Sequence, residues 1–354
     1  MLNHSRESTG RLIARTLAGS WRTVPNQIQL ESEELASITP LLLPAGAAGL
    51  AWRRLRGSQL EDTAFAAELR SQYQRNTVLA VLQQQRIESL FRSLDSSGIQ
   101  PLLVKGWAAA RLYGDEGLRP YVDVDICVER RQLAGAESAL KALANNELNV
   151  DLHREFETLG GGSYKEIYAR AETIDPDGVT VRVPCAEDHL RVLAIHMLRE
   201  GAWRPLWLCD VAAAVESRPA TFSWDICLGR NRQWSNWVIC ALKLAEEMLG
   251  AKINGTPAAG EKPLPQSLVR TVLNEWGSPA PSMSLRHQSP MAGAFRSRAA
   301  LTAGFRNRWP NAIEGTVVSG GLFNNLPRLP FQFGAYLKRG AQFALGLSRL
   351  RREH

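Results

Sequence analysis

The sequence predicts an α+β protein in which a small strand-bearing core lies between two helical regions. Three observations carry this prediction. A helical stripe runs up to residue 94, short apolar runs separated by turn residues fill 95–185, and helix-patterned segments follow from 186. The 354 residues suffice for two or three domains with real cores. They divide into an N-terminal helical region, 1–94, an α/β core, 95–185, a C-terminal helical region, 186–280, and a basic tail, 281–354, with an amphipathic helix.

Residues 1–58 form a weakly patterned helical lead-in. From Gln59 to Leu94, apolar residues such as Phe65, Leu69, Tyr73, Val78, Leu82, Leu90 and Leu94 recur along a helical stripe. Asp95-Ser-Ser-Gly98 ends it, with a glycine near the position where helices turn left-handed. In the core, Leu102–Val104 reads as strand one, Trp107–Tyr113 as a short helix, Asp115–Tyr121 as a loop and Val122–Val128 as strand two. Arg130–Ala144 reads as a crossover helix and Leu148–His153 as strand three, followed by a glycine run at Gly160, Gly161 and Gly162. Strand-like runs at Glu166–Ile174 and Val179–Val183 flank Asp175-Pro-Asp-Gly178, a strong turn signal. After Pro184, Ala186–Arg199, Leu206–Ser217 and Trp234–Leu249 are helical, and a Gly/Pro-rich break, 255–265, precedes a further helix near Leu268–Trp276.

Composition narrows the function classes. Five scattered cysteines without a CxxC pair argue against a zinc site or a disulfide framework and suit a reducing, cytoplasmic setting. No signal peptide is visible, and the most apolar run, Ile38–Trp52, is too short to span a bilayer and is interrupted by Pro40 and Pro44. The net charge of +7 is unevenly spread. From Leu285 to His354 eleven Lys and Arg face two Glu, which puts +9 on the tail and −2 on the remainder. No nucleic-acid-binding module accompanies those charges, so nucleic acid is not an expected partner. In the tail, Phe333, Tyr336, Phe343, Leu347 and Leu350 follow helical spacing with Lys338, Arg339, Arg349 and Arg352 around them. Such a helix either packs its apolar face on the body or lies peripherally on an anionic membrane surface.

The chemistry concentrates in strand two. Asp123 and Asp125 are separated by one residue, so they share one strand face while Val122, Val124 and Ile126 share the other. Two adjacent carboxylates in an apolar strand repel and resist desolvation unless a cation binds between them. Mg²⁺, or Mn²⁺, suits such a pair and normally accompanies a phosphate-bearing substrate. Asp151, in the run NVDLHRE, is the candidate third carboxylate; if its strand lies beside strand two, Asp151 and His153 face the same site, His153 more often being structural. Lys105 and Gly106, at the strand-to-helix turn, are candidate phosphate-binding residues, and Arg119 is a candidate bidentate phosphate contact. His196 and Asp210 fall on successive helices, where they can meet across a helical hairpin; a structural role fits them best.

Three blocks, LLVKGWAAARLYGDEGLRPYVDVDICV, VDLHREF and VPCAEDHLRVLAIHMLREGAWRPLWLCDVAAAV, together resemble the bacterial "uncharacterised nucleotidyltransferase" family, a branch of the polymerase-β-like nucleotidyltransferase superfamily, over about 90–217. The resemblance implies a small mixed β-sheet with helices on one side, a two-metal active site and an NTP donor, with ATP the first choice. It gives Asp123, Asp125 and Asp151 the metal-ligand role and Lys105 and Gly106 the phosphate-loop role. The wider superfamily usually has Gly-Ser or Gly-Gly where this chain has Gly106-Trp107, so no serine hydroxyl is available there, and the interval to Asp123 is longer. The implied reaction moves a nucleoside monophosphate from NTP to an acceptor that the sequence does not name: a small molecule, a peptide or a polysaccharide precursor. Competing readings are a non-catalytic scaffold that retains the fold and a toxin-like nucleotidyltransferase acting on tRNA. The near-neutral core disfavours the latter, because phosphate neutralisation supplies most non-specific RNA affinity.

Overall fold

Alternation along residues 102–128 builds the central sheet. In the computed structural model of the protein, which describes residues 5–143, 149–154, 162–176, 178–279 and 308–350 (the last nine as backbone), strands β1 (Leu102–Leu103), β2 (Asp123–Val128) and β3 (Asn149–Arg154) form one sheet in the order β1-β2-β3. β1 runs antiparallel to β2, and β3 runs parallel to it, so the sheet is mixed. Fourteen α-helices among the described residues surround this small sheet, and the α+β class follows.

The two faces of β2 have different fates. Val124, Ile126 and Val128 pack with Leu103 against α4 (Ala64–Ser96) and α6 (Leu133–Ala142). On the opposite face Cys127 is buried with Leu102 and Val104 under α7 (Tyr164–Arg170) and α8 (Ala186–Arg199), while Asp123 and Asp125, on the same face, are left for a cleft. The parallel crossover from β2 to β3 runs through a 3₁₀ turn, Arg130–Gln132, and α6.

Helix α4 has 33 residues, about 50 Å at 1.5 Å per residue, and joins two cores. Its first half contributes Ala66 and Leu69 to a large helical core, and its second half contributes Ile87, Leu90, Phe91 and Leu94 to the sheet's core. Thr63 caps its start by accepting from the Ala66 amide, and the predicted stop at Gly98 is present, with Gly98 left-handed (φ +70°) and the Ile99 amide returning to the Leu94 carbonyl at 2.9 Å.

The weakly patterned lead-in resolves into α1 (Arg6–Leu17), α2 (Ser32–Leu42) and α3 (Ala48–Leu55). These share one core with α8, α9 (Pro205–Glu216), α11 (Arg232–Leu249) and α12 (Gln266–Trp276). A short helix, α10 (Trp224–Leu228), was not expected; Ser223 caps it. The run Glu166–Ile174 is not one strand: α7 extends to Arg170 and only β4 (Glu172–Ile174) is extended, paired antiparallel with β5 (Val181–Val183). Helical spacing wins there because Tyr164 and Ile167 are buried together and Arg170 reaches Asp188 on α8 at 2.9 Å.

In the tail, α13 (Ala312–Val318) and α14 (Leu329–Leu350) pack together, with Arg339 paired to the buried Glu314 and Lys338 donating to the Val318 carbonyl at 3.1 Å. Ala335 is buried in this packing, whereas Leu329, Phe333 and Leu337 are exposed. Ala144, Leu148, Gly160, Gly161 and residues 280–307 and 351–354 lie outside the described residues, as do the side chains of Phe343, Leu347 and Leu350. Among the described residues no helix is long and apolar enough to cross a membrane.

His189 on α8 gives this packing a pH signature. It is buried, its Nε2 has no hydrogen-bond partner among the described residues, and burial lowers its pKa from 6.5 to about 4, opposed by Asp210 and aided by Arg119 and Arg111. The unfolded chain therefore takes up a proton that the folded chain refuses, and stability falls as pH drops from about 6.5 to about 4. The ceiling is on the order of 3 kcal/mol. His189→Gln should flatten the acid limb of stability measured by denaturant titration across that window; parallel limbs in the two proteins would contradict this origin.

Candidate functional site

The parallel register of β2 and β3 builds the site. Asp123 lies opposite Asn149, Asp125 opposite Asp151, and Cys127 opposite His153. Same-face positions on both strands therefore offer Asp123 and Asp125 beside Asn149, Asp151 and His153. Asp123, Asp125, Asp151 and His153 open onto a cleft of about 560 Å³ that is also lined by Lys105, Gly106, Arg119, His196, Arg199 and Arg204.

Asp125 is the buried centre of this group. Its Oδ1 lies 2.7 Å from Lys105 Nζ and 3.0 Å from His153 Nε2. Burial alone would raise its pKa, but the hydrogen bond with His153 and the Lys105 charge hold it below the usual carboxylate range. Asp151 is exposed, and its Oδ2 lies 3.2 Å from the same His153 nitrogen. Ligand atoms of Asp125, Asp151 and His153 all lie within 4.8 Å of one another. Asp123 is exposed at the mouth, where it accepts a hydrogen bond from Asn149 Nδ2. His153, given the weaker role from sequence, thus sits between two of the acids.

Gly106 is required by the backbone. Its φ is +55°, and a Cβ there would stand 2.9 Å from the Asp123 carbonyl oxygen. The following Trp107, in place of the superfamily's small residue, is buried in the sheet core with Arg111 over its ring.

Arg119 lines the cleft, but its guanidinium is already engaged. Nε and Nη2 donate to the two oxygens of Asp210 at 3.1 and 2.8 Å, and Nη1 donates to the Gly106 carbonyl at 3.3 Å. Asp210 also accepts from the Tyr113 hydroxyl at 2.7 Å. Asp210 therefore meets Arg119 rather than His196. All three side chains are buried, and the cluster ties the loop before β2 to α9. His196 instead sits edge-on to Trp207, with ring centroids 4.8 Å apart, and burial, with Lys105 next, pushes its pKa down to about 3, so it stays neutral.

Sequence reasoning missed two cleft cations. Arg199 ends α8 and Arg204 caps α9. Arg204 donates to the Ala45 carbonyl at 2.8 Å and lies over the Trp207 ring, and burial lowers its pKa to about 10. Neither has a carboxylate within ion-pair distance among the described residues. The only available signal was their position on either side of the α8–α9 turn, within the third resembling block.

The small mixed sheet thus carries the acids of the cleft on two adjacent strands. Residues 34–250 match the family described as "Uncharacterised nucleotidyltransferase", more than half of the chain, and the protein belongs to that family. Comparison with curated proteins finds no match. Among solved structures, an antigenic nucleotidyltransferase-like protein from Paracoccidioides brasiliensis is similar at 16% identity, covering 50% of this chain and 96% of that one. Its TM-score of 0.38 is too low to bear on the site.

Removing one partner of a buried ion pair costs about 3–5 kcal/mol, because the other charge is left unpaired. Asp210→Asn should therefore lower the unfolding free energy by about that amount, with Arg119→Met/Asp210→Leu losing less than the two single changes added together. Denaturant midpoints of the wild type, Asp210→Asn, Arg119→Met, Asp210→Leu and the double variant check this; a neutral Asp210→Asn would contradict it.

Proposed function

We propose that the protein is a metal-dependent nucleotidyltransferase that moves a nucleoside monophosphate from an NTP, ATP being the first candidate, to a hydroxyl acceptor. The observation that carries this reading is the convergence of Asp123, Asp125 and Asp151 on one cleft that is also lined by the cations Lys105, Arg199 and Arg204, with Glu200 and the Arg119–Asp210 pair in its wall. Anionic ligands on one side and guanidinium groups with no carboxylate in ion-pair distance among the described residues on the other suit a cation-bound triphosphate.

The donor set fits a divalent cation: Asp125 stays ionised, and Asp151 and His153 bring an oxygen and a nitrogen within reach of it. Asp123 completes the set at the open side, oriented by Asn149. A bound divalent cation would neutralise developing charge on the phosphates and activate the attacking hydroxyl. Mg²⁺ accepts the oxygens; the His153 nitrogen makes Mn²⁺ the better fit.

Lys105 now neutralises Asp125. With Asp125 turned to a metal, its ammonium is freed for the triphosphate as a point charge. Arg199 and Arg204 hold the outer phosphates. Arg119, with its fork held by Asp210, acts by fixing Gly106 and the loop to β2 rather than by gripping a phosphate. The acceptor oxygen bonds to the α-phosphorus, the bond from that phosphorus to the bridging oxygen breaks, and pyrophosphate leaves. The hydroxyl proton passes to Asp151, whose exposure lets it exchange with water. Five buried cysteines outside any disulfide suit a reducing cytoplasm.

Thermal stability with each NTP, with and without Mg²⁺ or Mn²⁺, tests the reading. A ligand at a hundred times its Kd adds about 2.7 kcal/mol to the folded state. The expected result is a metal-dependent stabilisation by at least one NTP that disappears in Asp123→Ala/Asp125→Ala. No stabilisation of the wild type by any NTP would refute the proposal.

A further inference from the structure

Beside the cleft lies a second, smaller cavity of about 210 Å³, floored by Leu43, Leu79 and Ala80 and by the amides of Gln72 and Asn76. It shares Pro120, Tyr121, Val122 and Arg204 with the cleft, so the two spaces adjoin at the residues that lead into Asp123. The Tyr121 hydroxyl donates to the Ala80 carbonyl at 3.3 Å and fixes the partition between them.

The outer rim of this annex is apolar and uncovered. Val122, next to Asp123 in sequence, is 70% exposed. On α4, Val78, Leu79, Val81 and Leu82 are 62, 49, 53 and 45% exposed, although they occupy the middle of the helix. At about 100° per residue, these four cover an arc of about 160° that begins at the annex with Leu79 and turns outward. A contiguous apolar surface that opens into a polar, charged cleft marks a binding site rather than a stray exposed side chain.

The floor decides what fits. Gln72 Nε2 donates to Asn76 Oδ1 at 2.8 Å, and Asn76 Nδ2 donates to the Gly117 carbonyl at 3.3 Å, which leaves the Gln72 carbonyl oxygen directed at no partner among the described residues. An alkyl chain lying here would desolvate that amide and the Arg204 guanidinium without replacing their hydrogen bonds. A peptide supplies both an apolar side chain and backbone N–H and C=O groups, and the volume accommodates one large side chain. We propose that the annex and the α4 arc bind a peptide acceptor. One large apolar side chain enters the annex, and a hydroxyl-bearing residue beside it reaches Asp123 and Asp151. This rests on the nucleotidyl-transfer reading for its chemistry, but the binding site itself does not.

The full-length protein and a pool of acetylated, amidated heptapeptides test it. Each peptide carries a central serine and one photo-leucine at a varied position. The expected result is light-dependent crosslinking to residues 72–82 or 120–122, mapped by mass spectrometry, with photo-leucine adjacent or next-adjacent to the serine favoured. Leu79→Glu and Leu82→Glu, both at exposed positions, should cut that labelling about tenfold or more, the scale of losing one buried apolar side chain. The stabilisation by metal and NTP should survive both changes. Labelling elsewhere, or labelling indifferent to both changes, would overturn the proposal. So would Leu79→Glu weakening NTP binding, which would give the annex to the donor, or photoreactive dodecanoic acid outcompeting the peptides, which would give it to a lipid. A wild type that binds no NTP but still crosslinks at the annex would sink the transfer reading alone.

Discussion

A carboxylate cannot be buried without counter-charge, and Asp125 is both 8% exposed and ionised. Lys105 and His153 meet that need, and much of the neighbourhood follows from holding them in place. Lys105 reaches Asp125 because β1 pairs antiparallel with β2 and the chain turns at Gly106 against the Asp123 carbonyl. His153 reaches it because β3 runs parallel in a register that puts Asp151 and His153 on the same face as Asp125. The other face of β2 anchors the arrangement, since Val124, Ile126 and Val128 are locked under α4 and α6. A slip of one residue would turn the acids into that core.

A second buried pair joins this strand system to the helices. Arg119 and Asp210 are 91 residues apart in sequence, yet their bidentate contact, with Tyr113 alongside, fixes the loop that enters β2 against α9. The same turn of chain, between α8 and α9, sets Arg204 and Trp207 into the cleft wall. The cleft is thus assembled from both parts of the fold: Asp123, Asp125 and Asp151 from the sheet, and cations from both, Lys105 and Arg119 beside the strands and Arg199 and Arg204 at the α8–α9 turn.

The candidate site was largely legible in the sequence, and the reason is local. Period-two alternation in YVDVDICV and NVDLHRE fixes which residues share a face without any knowledge of the fold. The stop at Gly98 and the turn at Gly106 were legible for the same reason, since each reflects a backbone conformation that few residues adopt. What was not legible depends on partners distant in the chain. Arg119 pairs with Asp210 rather than with Asp115 or Glu116, its near neighbours in sequence. Arg199 and Arg204 enter the cleft only once α8 and α9 pack beside the sheet. Residues 166–170 form a helix because Arg170 and Ile167 find partners on α8 and in the core, which their strand-like composition does not reveal.

In the proposed reaction Asp125, with Asp151 and His153, holds a divalent cation when nucleotide is bound. Electron paramagnetic resonance of Mn²⁺ titrated into the wild type and Asp125→Asn, each with ATP present, tests it most directly. Protein-bound Mn²⁺ at fixed stoichiometry is expected in the wild type and its loss in Asp125→Asn, with the circular dichroism of the two proteins unchanged. Mn²⁺ bound equally by both proteins, or by neither, would contradict it.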